Sequence, residues 1–204
     1  IVCLTDFDDF AQRIKRDDVE IIALHKKPGK DPIWYWNMWR ALRRLRPDIV
    51  HTRNLATIET QLIAFLAGVS GRVHGEHGWD MHDLAGSNPR YLLLRKLLKP
   101  LIQMFIPLST EIEGYLRNRV GVAPARVTRI CNGVDTSTFK PPGAQHRRPQ
   151  EVFSAGDIVI GYVGRMEPVK DPLNLVDAFI QGVASHPESR NTVRLAMVGD
   201  GALL

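Results

Sequence analysis

Short apolar runs alternate with stretches of helical periodicity along almost the whole chain, and that alternation narrows the possible folds more than any bulk property. Runs of strand length occupy residues 1–4, 19–24, 49–51, 73–76, 105–108 and 127–130. Between them, apolar positions recur at helical spacing over residues 7–16, 34–45, 58–67, 90–104 and 111–119. A strand that alternates with a helix returns to the sheet in the same direction, so the pattern predicts a parallel sheet covered by helices on both faces. Ser109 and Thr110 sit where a helix cap belongs, and Gly68 and Gly121 stand just past helix ends.

The rhythm breaks once. The stretch KPPGAQHRRPQ, residues 140–150, is rich in proline and polar residues and has no periodicity, as a linker would be. Beyond it the alternation restarts, with a strand over 158–163, a helix over 173–183, a strand over 193–198 and a further helix opening at the end. The expected organisation is therefore an α/β unit over residues 1–141, a linker over 142–155 and the start of a second α/β unit over 156–204. The chain opens on an apolar run without methionine and stops as a helix begins, so it reads as an internal piece of a longer protein. The 44% apolar content supports a real core. Cys3 and Cys131 lie beside strand-like runs and read as buried free thiols, in keeping with a reducing, cytoplasmic setting. No apolar run is long enough to span a membrane.

The net charge of +5 is unevenly placed: the excess of Lys and Arg lies entirely before Pro141. It concentrates on two helical stretches. IWYWNMWRALRRLR, residues 33–46, carries Trp34, Trp36 and Trp39 followed by Arg40, Arg43, Arg44 and Arg46; RYLLLRKLLKPLIQM, residues 90–104, carries Arg95, Lys96 and Lys99. Two readings stand side by side. Such helices lie on an anionic membrane surface, or they pack an apolar stripe on the sheet and hold a basic face in water. Nucleic acid is not an expected partner, because the basic face lacks the interleaved aromatic platform of a single-strand binder.

In open parallel sheets, ligands sit at the carboxyl ends of strands. The chemically loaded segments fall there: HTRN (51–54), HGEHGWD (74–80), CNGVD (131–135), VGRMEPVK (163–170) and VGDG (198–201). In VGRMEPVK, Gly164 lets backbone approach a ligand, and Arg165 and Lys170 place two cations across a turn that opens a helix. A planar guanidinium and a mobile ammonium near a helix N-terminus suit a diphosphate, although such a pair also occurs on solvated surfaces. The segment is neither a Walker loop nor a G-x-G-x-x-G fingerprint, which argues against an ATPase or an ordinary dehydrogenase. RVHGEHGWDMHD, residues 72–83, packs three histidines and three carboxylates together, yet His74, His77 and His82 lack metal-ligand spacing, so no metal site is expected. His74 reads as a buried strand residue and His82 as an exposed one. His25 and His51, which flank strands, read as core or loop histidines, and Asp135 as a turn residue acting with Asn132 and Gly133.

NGVDTSTFKP, IGYVGRMEPVKDPLNLVDAF and VRLAMVGDGALL, in that order, resemble the signature series of family 4 glycosyltransferases with the GT-B fold. LHKKPGKD, PDIVHTRNLATIE and GRVHGEHGWDMHDL resemble, more narrowly, sugar transferases of bacterial exopolysaccharide gene clusters. The resemblance runs over nearly the whole chain. It implies two Rossmann-like domains facing a cleft, the first receiving the acceptor and the second binding a nucleotide sugar. Gly164, Arg165 and Lys170 would hold the donor diphosphate, with Gly199, Asp200 and Gly201 near its nucleoside. His77 matches the catalytic histidine beside the transferred sugar. Arg53 and Asn54 would line the acceptor side or cap a turn, with Glu76 and Asp80 as acceptor-side neighbours.

The implied reaction moves a sugar from a nucleotide-diphosphate donor to a glycan or lipid-linked acceptor, with retention, without metal or other cofactor. The cytoplasmic inner face of the cell membrane is its expected location. Two family elements are missing: the Gly-rich loop after the first strand and the Glu-x7-Glu element. The fragment alone is therefore expected to be inactive and the full-length parent active. The competing functions are another sugar or nucleotide enzyme on this fold, such as a phosphorylase or epimerase, and a noncatalytic basic membrane-binding module.

Overall fold

The computed structural model describes residues 1–7, 11–14, 16–29, 31–80, 83–141, 152–154 and 156–204. They form two units, Ile1–Gly133 and Val134–Leu204. Residues 142–151 and 155, most of the expected linker, and His82 lie outside the described residues.

Every strand pair in the first unit is parallel. β1 (Val2–Cys3) pairs with β2 (Ile22–Ala23), and β3 (Ile49–Arg53), β4 (Gly71–Glu76) and β5 (Met104–Pro107) form a sheet in that order. α1 (Ile33–Leu45) begins where Asp31 accepts the Ile33 amide. It ends where Arg46 turns left-handed (φ 44°) and Pro47 follows, since proline cannot continue the helical hydrogen bonding. From its buried stripe, Trp34, Met38 and Leu42 pack with Ile63, Ala64 and Val69 around α2 (Thr60–Leu66). A second core gathers Ile58, Ile102, Phe105, Leu116 and Val120 beneath α3 (Pro89–Leu98) and α4 (Thr110–Tyr115). Ser109 caps α4 by accepting from the Ile112 amide, and Gly68 and Gly121 take left-handed conformations past helix ends.

Three expectations need correction. The helix expected over 90–104 ends at Leu98 and continues only as a tight turn, Lys99–Leu101. Pro100 offers no amide, and the Gln103 amide is recruited by Arg72 of β4. Residues 127–130 run beside β5, with the Thr128 amide on the Phe105 carbonyl, but make one isolated bridge rather than a strand. Of the helix expected over 7–16, the described part holds a single turn, Ala11–Arg13. The thiols also differ from expectation: Cys3 is half-buried, and Cys131, past the end of that segment, is exposed.

Between the sheet and its helices lies a polar chain. Side chains alternate along a strand, so Thr52, His74 and Glu76 share one face of β3 and β4. Gln61 of α2 donates to Thr52 Oγ1 (2.7 Å) and to the Val73 carbonyl (2.7 Å). Thr52 Oγ1 lies 2.7 Å from His74 Nδ1. His74 Nε2 faces Glu76 Oε1 at 3.4 Å. Arg95 of α3 grips both Glu76 oxygens, at 2.7 and 3.1 Å. Glu76 and Arg95 are only 2% and 3% exposed. Arg95, expected on the basic surface of its helix, is thus an interior residue. Burial pushes the Glu76 carboxyl up, but His74 and Arg95 outweigh it and bring it down to about 2.

In the second unit, β6 (Ile158–Val163) pairs in parallel with β7 (Val193–Val198) along six residues. α5 (Pro172–Ser185) makes the crossover, so this unit is one βαβ element. Among the described residues of both units, no helix is long and apolar enough to cross a membrane.

Removing one member of a buried ion pair strands the other. Arg95→Leu is therefore expected to lower stability by about 3–5 kcal/mol, and Glu76→Leu/Arg95→Leu to recover most of it. Chemical denaturation of the three proteins measures both. The Glu76 carboxyl is lower in the folded protein than its ordinary value of about 4.5. Its stabilisation is present in full above that value and is lost as pH falls toward about 2.

Candidate functional site

The opposite face of the same two strands carries a different chemistry. Arg53 pairs with Gly75 and His51 with Val73, so His51, Arg53, Gly75 and the chain leading to His77 share one side. Gly75 makes this possible. A Cβ there would lie 2.7 Å from His77 Nε2 and 3.0 Å from His51 Nε2, so the two rings close over the missing side chain. Burial holds the His77 imidazole below its usual range, aided by the charge of Arg53 and by His51 and His74, against the opposing pull of Glu76. The His51 ring is lowered by burial, then by His74 and Arg53. His77 therefore stays neutral at neutral pH, able to polarise a hydroxyl.

Asn54 fixes where His77 begins. Its Oδ1 accepts from the His77 amide (2.8 Å), and its own amide donates to the Gly75 carbonyl (2.8 Å). It does so at φ 59°, ψ 170°, a region that side chains rarely adopt, which costs on the order of 1–3 kcal/mol. The Asn54 side chain thus holds the histidine loop. Arg53 stays exposed at the strand end.

Past His77 the loop folds back on itself. Trp79 lays its ring where a Cβ of Gly86 would be, at 2.3 Å, and meets Tyr115 edge-on at 5.0 Å. Asp83, buried, accepts from the Ser87 and Asn88 amides and so sets up the start of α3. Asp80 is half-buried and bridges to Asp83 through the backbone. Glu76 is corrected: with both oxygens on Arg95 it faces the interior, not a substrate. His74 is fully buried, as its place in the strand implied.

The second unit places its own residues at its own strand ends. Gly164, Arg165 and Lys170 lie between β6 and α5, with both cations exposed. Lys170 closes the short turn Pro168–Lys170, and Asp171 enters α5 with φ 47°. Gly199 and Gly201 earn their place against this loop's backbone. A Cβ on Gly199 would fall 1.8 Å from the Gly164 carbonyl oxygen, and one on Gly201 would fall 2.5 Å from that of Met166. The Met166 amide donates to the Asp200 carbonyl and the Gly164 amide to that of Val198. Gly164 itself makes room for the Tyr162 hydroxyl, 2.8 Å from its would-be Cβ. Asp200 accepts from the Gly201 amide (2.8 Å).

The fold thus brings His77, Arg53 and Asn54 together at the ends of β3 and β4, and Gly164, Arg165, Gly199 and Gly201 together at the ends of β6 and β7. Sequence reasoning took His51 for a core or loop histidine, and the structure brings its ring beside that of His77 over Gly75. The signal was present in the spacing: His51 and Arg53 share a face, and Gly75 opposite leaves room for a ring. Asp135 does fix a turn, but with Ser137 and Thr138, whose hydrogen bonds bring its carboxyl down to about 2. Among the described residues, no three His, Cys, Asp or Glu side chains gather closely enough to hold a metal ion.

The model of Glycosyltransferase Family 4 matches residues 1–138. A D-inositol 3-phosphate glycosyltransferase of Acidothermus cellulolyticus is 33% identical over 79 residues, 39% of this chain and 18% of that protein. The corresponding enzyme of Rhodococcus jostii is 30% identical over 91 residues, 45% of this chain and 20% of its own. The matched segments thus span about a fifth of these relatives. Among solved structures, Anabaena HepE, crystallised with UDP and glucose, superposes with a TM-score of 0.64 at 14% identity, covering 97% of this chain and 61% of that one. A UDP-forming α,α-trehalose-phosphate synthase of Burkholderia vietnamiensis gives 0.58 at 14% identity, covering 86% and 44%. Parallel strands in both units and these neighbours establish a GT-B fold. With the family model spanning well over half its length, the chain belongs to Glycosyltransferase Family 4.

Proposed function

We propose that this chain is part of a glycosyltransferase that moves a sugar from a nucleotide-diphosphate donor to a glycan or lipid-linked acceptor. The observation that carries the reading is the exposed cation pair, Arg165 and Lys170, on the β6–α5 loop of a chain in this family. Cleavage of a sugar–diphosphate bond builds negative charge on the departing phosphate. Cations already fixed in place stabilise that charge more in the transition state than in the ground state. The backbone of VGDG, packed against Gly164–Met166, holds the loop that carries Arg165. No metal is required by this scheme.

On the acceptor side, a neutral His77 polarises a hydroxyl or orients the transferred sugar, and it need not act as a general base. Retention then follows if the acceptor attacks on the face the diphosphate leaves, with a phosphate oxygen taking the proton. Bacterial polysaccharide synthesis on the cytoplasmic face of the membrane is the proposed setting.

Membrane attachment rests on α1 more than on α3. α1 exposes Ile33, Tyr35 and Trp36, which stacks on the half-buried Trp39, beside Arg40. Of its other arginines, Arg44 is tied to Glu20. On α3, Arg95 is interior and Lys99 donates to the Val120 and Gly121 carbonyls, leaving Arg90 and Lys96 with Leu93 and Leu97.

In the full-length protein, Arg165→Ala or Lys170→Ala is expected to cut turnover on the order of 10²-fold or more with the fold intact. Calorimetry with donor should show weakened binding; unchanged binding in both variants sinks the clamp. Gly199→Ala is expected to weaken donor binding as well, by pushing the Gly164 carbonyl aside. The transferase reading itself fails if no nucleotide sugar yields free nucleoside diphosphate when acceptor is added. For the membrane, anionic vesicles should float the wild-type protein and release a Trp36→Ser/Arg40→Ser variant, whereas equal flotation of both contradicts attachment through α1.

A further inference from the structure

We propose that His51 is a positioning residue for His77, the two rings together filling the space that Gly75 leaves open over β4. The proposal deepens the function given above, since it rests on reading His77 as the residue that meets the sugar. Three observations carry it. A Cβ on Gly75 would lie 3.0 Å from His51 Nε2, 2.7 Å from His77 Nε2 and 3.0 Å from His77 Cδ2, so both rings crowd one point. Gly75 does not adopt a positive φ, so its bare Cα serves the rings and not a turn. The His77 Nδ1 atom is buried without a hydrogen-bond partner, so nothing polar fixes the ring on that side.

Asn54 and His51 divide the work of holding His77. Asn54 fixes its backbone by accepting from the His77 amide at 2.8 Å. That bond leaves the side-chain torsions free to turn. Packing limits them instead: the ring has Gly75 beneath it and His51 beside it. His51 reaches this place along the diagonal of the β3–β4 ladder, two positions before Arg53, which pairs with Gly75 directly. A ring seated this way meets a hydroxyl in one orientation, and orientation of a catalytic group contributes to rate.

The same contact couples charge. Burial lowers the His77 imidazole most, followed by Arg53 and His51 of β3 and His74 of β4, with Glu76 opposing. His51 is lowered by burial, then by His74 and Arg53. A proton on either ring therefore disfavours a proton on the other. Charging His77 would also place a proton on both of its nitrogens, and the buried Nδ1 has no acceptor for one. Replacing His51 with a small neutral side chain removes one opposing charge and lets solvent reach the His77 ring. Both changes raise the His77 midpoint.

His51 is exposed and belongs to neither apolar core, so its replacement spares the fold. The His77 ring signals are followed by NMR from about pH 5 to about pH 8 in wild type, His51→Ala, His51→Phe and Gly75→Ala. The expected midpoint rises in His51→Ala, and rises less in His51→Phe, whose ring keeps the seat without a charge. In Gly75→Ala the His51 and His77 signals shift together. An unchanged His77 midpoint in His51→Ala overturns the proposal, as does a Gly75→Ala protein in which neither ring responds. In the full-length enzyme, His51→Ala is expected to lower kcat by about tenfold or more with donor KM little changed, and His51→Phe to recover part of the loss. Equal losses in these two variants would contradict positioning through ring contact. The NMR arm needs neither donor nor turnover. A shifted midpoint with kcat unchanged would therefore count against the catalytic reading of His77 and not against the ring pairing.

Discussion

The Glu76–Arg95 pair is the constraint on which the rest of the first unit depends. It joins the last residue of β4 to the middle of α3 in a nearly dry interior, where an unpaired charge would be costly. A one-residue slip of β4 would turn Glu76 to the other face and leave Arg95 unpaired, so the pair specifies register as well as contact. Once Glu76 must point inward, Gly75 and the approach to His77 must point outward. The chemistry on one face is thus set by the ion pair on the other, with Gln61, Thr52 and His74 extending the same polar chain back to α2.

Asn54 completes the arrangement from the neighbouring strand. A residue in a strained backbone region persists only where its surroundings overdetermine it, and here two hydrogen bonds to the β4 end do so. The second unit solves the same problem with glycines. Gly199 and Gly201 let one strand end lie directly on the backbone of the other, which stiffens the Arg165 loop without any side chain. Both units place exposed cations at strand ends, Arg53 in the first and Arg165 in the second.

Much of this was legible in the sequence. The alternation of short apolar runs and helical spacing was enough for the parallel sheets, and the cap residues Ser109, Gly68 and Gly121 marked real boundaries. His74 could be placed inside by strand alternation alone. What stayed hidden was pairing across elements. Glu76 and Arg95 are nineteen residues apart, and nothing in RYLLLRKLLKP distinguishes the interior arginine from the solvated Lys96. The outcome depends on which helical face meets β4. The meeting of His51 and His77 stayed hidden for a related reason: it exists only through the β3–β4 register and an absent Cβ. The end of the third helix was misplaced because Pro100 competes with an otherwise continuous apolar pattern.

The buried pair on one face of β4 sets the state of the histidine on the other. The most direct measurement is the NMR titration of the His77 ring in folded wild-type protein and in folded Arg95→Met. The expected wild-type midpoint lies below the ordinary value of about 6.5 and moves toward that value in the variant, as the β4 end loosens and the ring gains solvent. Identical midpoints in the two proteins would contradict it.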